Sequence, residues 1–163
     1  KKSFNRMARA LVKSPALGRS TYVSTTRIQG LACEIQEGDW RFQVDMPQSL
    51  GGRGVAPTPG ALGRAALGSC LAIGYMLWAS DMGVAIESLE VEVQADSDDA
   101  GLFGTAEIPP GYSEVRYCVK VCSCAAEEDV LKMLDEAERH SPWLDVFRRQ
   151  VTCKRGVNFS ASA

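Results

Sequence analysis

The chain has 163 residues, of which 45% are hydrophobic, and a formal net charge of -2. This length and composition suit one domain with a substantial core, and they argue against a small scaffold that depends on disulfides. The body of the sequence lacks a basic patch interleaved with aromatic residues, so nucleic acid is not an expected partner.

The N-terminal segment differs in charge from the rest of the chain. Residues 1–30 carry seven positive charges and no acidic residue, whereas residues 31–163 carry a net charge of -9. Such a start is typical of a transit peptide or of an arm that lies across an acidic surface, and we favour the arm because no apolar signal core follows the lysines. A short basic helix is predicted over residues 4–12, ending at Ser14-Pro15. We therefore expect one domain over residues 1–163, with residues 1–19 as a basic N-terminal helix or arm.

The next segment predicts strands followed by one long helix. Residues 22–45 have a strand-like pattern, and a Gly38-Asp39 turn indicates a hairpin. A loop rich in Gly and Pro covers residues 47–59. A helix is then expected from Pro59 to Met82, with Thr58 as N-cap and Gly83 as its end. It is apolar on nearly every side and contains four glycines, so we expect it to be buried with another backbone very close to it.

The second half of the chain completes a mixed fold. Strands are predicted over residues 85–96 and 113–124, an amphipathic helix over 126–140, a helical turn near Pro142 and a closing strand over 148–160. The inward positions of the amphipathic helix are expected to be Val130, Leu131, Leu134 and Ala137. Because strands and helices are grouped rather than strictly alternating, the fold class is α+β. No stretch looks long and apolar enough to span a bilayer, so no membrane association is expected.

Six cysteines are spread over the chain, at positions 33, 70, 118, 122, 124 and 153. A chain this long and apolar is not a disulfide scaffold, so we predict free thiols in a reducing, cytoplasmic compartment. Cys70 lies in the apolar run "ALGSCLAIGYMLWAS". It is either a small hydrophobe in a tight core or a reactive thiol around which that core is built.

The long helix and the loop before it resemble a known family. The segment "LGGRGVAPTPGALGRAALGSCLAIGYMLWASDMGV" is similar to the signature of the OsmC/Ohr family, with a Gly-Gly loop, a Pro-initiated helix and Ala-rich residues that end at a cysteine. The resemblance covers roughly residues 20–160. It implies antiparallel sheets wrapped around a long central helix, an intertwined homodimer, and thiol-dependent reduction of organic hydroperoxides in oxidative stress defence.

The resemblance also implies site residues. Cys70 matches the family's reactive cysteine, which must be ionised to act as a nucleophile. The family holds an activating arginine with a glutamate just after the helix-starting proline, but Gly60 stands at that position here. Arg27 and Arg19 lie in the region that supplies this arginine, and Arg27 is the better candidate as thiolate partner. The family's resolving cysteine precedes a proline, and the matching pair in this chain is Ser141-Pro142.

Three cysteines in the second half offer alternatives. Cys118, Cys122 and Cys124 share one face of a predicted strand. Cys124, near the start of the following helix, is a rival nucleophile or a substitute resolver. The three thiols with His140 could suggest a metal site, but their spacing fits zinc poorly, and cysteines that fill a crowded sheet face are the more ordinary interpretation. His140, the only histidine, fits a helix C-terminal cap.

Two functions from different classes follow. The first is a hydroperoxide reductase that uses Cys70 with an external thiol reductant of unknown identity and without the usual resolving cysteine. The second is a non-peroxidatic relative that binds a small apolar molecule in the dimer pocket. Both hypotheses predict a homodimer, and neither requires a cofactor or a metal ion.

Overall fold

The computed structural model describes residues 1–161, and it divides the strands between two antiparallel sheets. The helices are α1 (Lys2–Lys13), α2 (Pro59–Met82), α3 (Asp99–Leu102), α4 (Glu127–Arg139) and α5 (Pro142–Arg148), and the strands are β1 (Thr25–Gln29), β2 (Ala32–Glu37), β3 (Trp40–Val44), β4 (Ser88–Ser97) and β5 (Tyr112–Cys122). One sheet has the order β1-β2-β3, and the other pairs β4 with β5. The predicted α+β class with antiparallel sheets and a long central helix is confirmed.

The long helix α2 begins and ends at the residues that the sequence indicates. The Thr58 hydroxyl accepts a hydrogen bond from the Ala61 N–H at 3.2 Å, and Pro59 occupies the first helical position. Gly83 ends the helix in the left-handed conformation, with φ of 78°. Because these cap signals are local, the prediction of Pro59–Met82 is confirmed at both ends.

The core lies on one side of α2. Leu67, Leu71, Tyr75 and Ala79 form its buried face, and this face packs against Val130, Met133 and Ala137 of α4 and Leu144 of α5. The β4-β5 sheet packs on the same cluster with the odd-numbered residues of β5. Leu134 also contacts the cluster, but Leu131 is exposed, so that inward position of α4 was predicted wrongly and Met133 was missed.

The opposite side of α2 is exposed in the single chain, which contradicts the prediction that the helix is buried all round. Ile73, Met76 and Leu77 are all exposed there. The glycines are approached by side chains rather than by a backbone: a Cβ on Gly68 would lie 3.3 Å from Val93, and one on Gly74 would meet nothing within 4 Å. The close backbone approach predicted from the glycines is therefore not formed within this chain.

Two further expectations from the sequence are wrong. The first is that no stretch is long and apolar enough to span a bilayer, because α2 meets that criterion by length and composition alone. Core helices of soluble proteins meet the same criterion, so one such helix is weak evidence for a membrane span. Residues 149–161 form no strand, because within the described part of the chain this segment meets no strand to pair with.

A buried carboxylate fixes the loop that leads into α2. Asp45 accepts hydrogen bonds from the backbone N–H groups of Met46, Arg53 and Val55, at 2.8 to 3.2 Å. At Gly52, in the same loop, a Cβ would lie 1.9 Å from the Met46 carbonyl oxygen, so only glycine fits. Packing thus requires glycine at the second position of the Gly-Gly segment, and this packing fixes the path of the chain into α2.

Candidate active site around Cys70

Cys70 lies midway along α2 and opens onto a pocket of about 530 Å³. The wall of the pocket is mostly apolar or aromatic, and its polar members are Cys70, His140 and Ser141. The apolar lining residues are Phe4, Ile73, Gly74, Leu77, Trp78, Ala137 and Pro142. The thiol is half-buried, so a small molecule that enters the pocket can reach the sulfur.

Ser141 faces the cysteine directly. Its Oγ lies 3.5 Å from the Cys70 Sγ, and the residue is buried at the N-terminus of α5. As the N-cap of α5, the same oxygen accepts a hydrogen bond from the Leu144 N–H at 3.3 Å. Because that bond uses a lone pair, the hydroxyl proton is free to be donated to the sulfur. The structure therefore brings together the two residues that the family resemblance pairs.

A carboxylate on α4 holds the Ser141 segment against α2. Glu138 accepts hydrogen bonds from the Tyr75 hydroxyl at 2.9 Å and from the Tyr117 hydroxyl at 2.7 Å, and Arg148 lies 3.8 Å from it. Burial and the hydrogen bond to Glu138 raise the pKa of Tyr75, and the same causes raise the pKa of Tyr117 to about 12. Both phenols therefore remain donors at neutral pH. Sequence reasoning missed this cluster, because its members are far apart in the chain.

His140 lies in the pocket beside Ser141. Its Nδ1 is 2.9 Å from the Glu136 carbonyl oxygen, as expected for a residue that caps the C-terminus of α4. The ring packs on the Trp78 indole, with centroids 4.8 Å apart. The sequence indicates the capping role, but its place in the Cys70 pocket depends on how α4 packs on α2.

The N-terminal helix supplies one wall of the pocket. Phe4 of α1 meets Trp78 edge to face, with ring centroids 5.3 Å apart, and the Lys1 ammonium donates to the Asp81 carbonyl oxygen at 2.8 Å. The predicted basic helix is therefore present, and it lies over α2 next to the cysteine.

The structure does not bring an arginine of this chain to Cys70. Arg27 is exposed on β1, in the other sheet, and Arg19 is exposed before it. Arg64 donates to the Tyr112 hydroxyl at 3.3 Å. Among the described residues, none that lines the pocket is a lysine or an arginine. The assignment of Arg27 as thiolate partner stays a prediction that requires a second subunit.

Tyr112 fills the space next to Gly60, where the family resemblance expects a glutamate. Its hydroxyl donates to the Gly60 carbonyl oxygen at 2.8 Å, and a Cβ on Gly60 would lie 3.2 Å from that hydroxyl oxygen. Glycine at this position thus accommodates the tyrosine.

We expect Gly60→Glu to lower the free energy of unfolding by about 1–3 kcal/mol, because the new side chain overpacks against Tyr112. Thermal or urea unfolding measures the change. Gly63→Ala is the matched control, because its Cβ would lie 3.7 Å from the same hydroxyl, an ordinary contact distance. If Gly60→Glu and Gly63→Ala are equally stable, the tyrosine does not occupy this space.

The remaining cysteines do not join the pocket. Cys118 and Cys122 are exposed on the outer face of β5, and Cys124 is exposed in the connection before Ala126, the N-cap of α4. The interpretation that they fill a crowded sheet face is therefore wrong, and Cys124 lies short of the helix terminus. No group of three or more Cys, His, Asp and Glu side chains in residues 1–161 is arranged to hold a metal ion.

Comparison with known proteins gives the same fold. The family model described as OsmC-like protein matches residues 51–155. No curated protein sequence matches the chain. Among solved structures, an OsmC like protein from Mycoplasma pneumoniae is 15% identical with a TM-score of 0.68, covering 79% of this chain and 88% of its own.

Two other similar structures are described as organic hydroperoxide resistance proteins. The one from Elizabethkingia anophelis is 17% identical with a TM-score of 0.62, covering 80% of this chain and 89% of its own. OhrB of Bacillus subtilis is 19% identical with a TM-score of 0.53, covering 79% of this chain and 91% of its own. At these identities the likeness establishes the fold and leaves the chemistry to be argued from the residues.

Proposed function

This chain belongs to the OsmC-like protein family, and from that premise we propose that it reduces organic hydroperoxides with the Cys70 thiol as nucleophile. The observation that carries the proposal is the 3.5 Å contact between the Cys70 sulfur and the Ser141 hydroxyl, at the floor of an apolar pocket. The pocket suits the organic part of a hydroperoxide, and the hydroxyl can donate a hydrogen bond to a thiolate. Similar structures described as organic hydroperoxide resistance proteins support the same class of reaction.

The chemistry follows from a thiolate and a weak O–O bond. The Cys70 sulfur attacks the terminal oxygen of the hydroperoxide, an S–O bond forms, the O–O bond breaks, and the alcohol leaves after taking up a proton. Sulfur is oxidised by two electrons to the sulfenic acid. Serine cannot form a disulfide, so Ser141 cannot resolve this intermediate. An external thiol must attack the sulfenic acid, releasing water, and a second thiol then restores Cys70.

The proposal includes a homodimer in the cytoplasm. The exposed apolar side of α2 and the exposed Ile28, Trp40 and Phe42 of the β1-β3 sheet are surfaces that a monomer rarely leaves in water. A second copy that covers them accords with the homodimer that the family resemblance implies. In this proposal the second copy also supplies an arginine such as Arg27 to Cys70. The six unpaired cysteines support a compartment in which thiols stay reduced.

A second candidate function is binding of a small apolar molecule without peroxide chemistry. It is favoured by the Tyr112 hydroxyl at the position where a glutamate is expected, because that glutamate would orient an activating arginine. In this case the pocket beside Cys70 holds a ligand and the thiol is only part of its wall.

Mass spectrometry of the protein after one equivalent of cumene hydroperoxide distinguishes the two functions. We expect added oxygen, or a mixed disulfide when a small thiol is present, on the peptide that contains Cys70. Cys122 is the internal control: its hydrogen bond to the Glu87 carboxylate, at 3.3 Å, raises the pKa of its thiol, so it should remain unmodified. Oxidation spread evenly over the cysteines, or absent from Cys70, would favour the ligand-binding function.

A further inference from the structure

We infer that His140 is the proton-donating residue of the Cys70 pocket, an inference that rests on the proposed peroxide chemistry. Among the described residues that line this pocket, His140 is the only one besides Cys70 with a titratable side chain. It is also the residue next to Ser141, whose hydroxyl contacts the sulfur. An imidazolium in the cavity that receives the hydroperoxide is suited to donate a proton to the leaving oxygen.

The contacts of the ring determine which nitrogen is available. A carbonyl oxygen can only accept a hydrogen bond, so the 2.9 Å contact with the Glu136 carbonyl assigns a proton to Nδ1. In the neutral ring, Nε2 is therefore the nitrogen that can take up a proton. The Glu136 carboxylate is 3.6 Å from Nδ1, and the indole of Trp78 packs on the ring face. These contacts hold the ring in one orientation at the pocket wall.

The proton balance of the reaction gives this nitrogen a role. Cys70 reacts as the thiolate after its proton has passed to solvent, and His140 enters the reaction as the imidazolium, which takes its Nε2 proton from solvent. The thiolate attacks the terminal hydroperoxide oxygen, and the other oxygen leaves as an alkoxide, a very poor leaving group without a proton. The imidazolium donates its Nε2 proton to this oxygen, so thiolate, hydroperoxide and imidazolium become sulfenic acid, alcohol and neutral imidazole, which takes up a new proton from solvent.

Leaving-group dependence separates proton donation from a structural role. We expect His140→Asn to slow oxidation of Cys70 by cumene hydroperoxide by about 10²-fold, the lower end of general acid catalysis. Oxidation by peracetic acid should slow much less, because acetate leaves readily without a proton. Alkylation by iodoacetamide should stay within about twofold, since iodide needs no proton either. Asparagine is chosen because it can still end a helix.

Phe4→Leu is the matched control, because it changes the pocket wall near Trp78 without removing a proton-bearing group. It should change the rate of reaction of Cys70 by the same factor with all three reagents. If Cys70 of His140→Asn reacts more slowly by the same factor with all three reagents, the substitution has changed the shape of the pocket, and the inference is overturned. An unchanged rate with cumene hydroperoxide also overturns it while the proposed function stands. If Cys70 of the unsubstituted protein is not oxidised at all, the proposed function itself fails, and the inference fails with it.

Discussion

Ser141→Cys is expected to form a disulfide with Cys70 when the protein is treated with one equivalent of a hydroperoxide. The Ser141 Oγ already lies 3.5 Å from the Cys70 Sγ, so a sulfur at this position needs only a small movement to bond. The new thiol attacks the Cys70 sulfenic acid, releases water and closes the bond. Turnover with a dithiol reductant should rise, because the slow encounter with an external thiol is replaced by an intramolecular step.

The same disulfide should have a large effect on stability. The two positions are 71 residues apart, and closing a loop of that length stabilises the folded state by roughly 4 kcal/mol in the chain-entropy model. The oxidised variant should therefore unfold at a clearly higher urea concentration than its reduced form. The comparison is made on one protein in two redox states, so no other difference enters.

A control must show that position, rather than an additional thiol, is responsible. Ser80→Cys places a thiol on the same helix ten residues from Cys70, about 15 Å along the axis, which is too far for a disulfide. Non-reducing peptide mapping should find a disulfide between Cys70 and the introduced thiol in Ser141→Cys and none in Ser80→Cys. Absence of that disulfide from Ser141→Cys after Cys70 has been oxidised would show that the contact does not support a resolving step.

The sequence predicts those parts of the fold that depend on neighbouring residues. Thr58, Pro59 and Gly83 are local signals, and α2 begins and ends where they indicate. The Gly38-Asp39 turn likewise joins two antiparallel strands. The closing strand was predicted wrongly, because a strand needs a partner edge and its own sequence pattern says nothing about whether one is present.

The candidate site is predictable only where the family motif covers it. The motif identifies Cys70, and the Ser141-Pro142 pair follows from the same resemblance. His140 in the pocket, Tyr112 beside Gly60 and the bonds of Tyr75 and Tyr117 to Glu138 come from packing between distant elements. No spacing in the sequence encodes these contacts. Periodicity also cannot say what covers the exposed side of α2, because an apolar helix can be buried by its own chain or by another.

Ile73→Glu is expected to abolish self-association of this protein. Ile73 is 62% exposed in the single chain, on the apolar side of α2 that the proposed second copy covers. Burying an isoleucine side chain contributes about 1.5–3 kcal/mol, and a twofold interface contains the residue twice. The substitution removes this contribution and places two carboxylates in an apolar contact, which costs several kcal/mol more unless water enters. A total loss of about 4 kcal/mol or more corresponds to a dimer at least 10³-fold weaker.

Sedimentation velocity at low micromolar concentration tests this expectation, and Leu131→Glu is the matched control. Leu131 is also an exposed apolar residue on a helix, with 53% of its surface accessible, but it lies on α4 away from the exposed side of α2. The control should sediment as the unsubstituted protein does, whereas Ile73→Glu should sediment as a monomer or fail to fold. A failure to fold is itself informative, because folding and association are inseparable in an obligate dimer. An unsubstituted chain that is a stable folded monomer would contradict the dimer, and with it the supply of Arg27 from a second subunit.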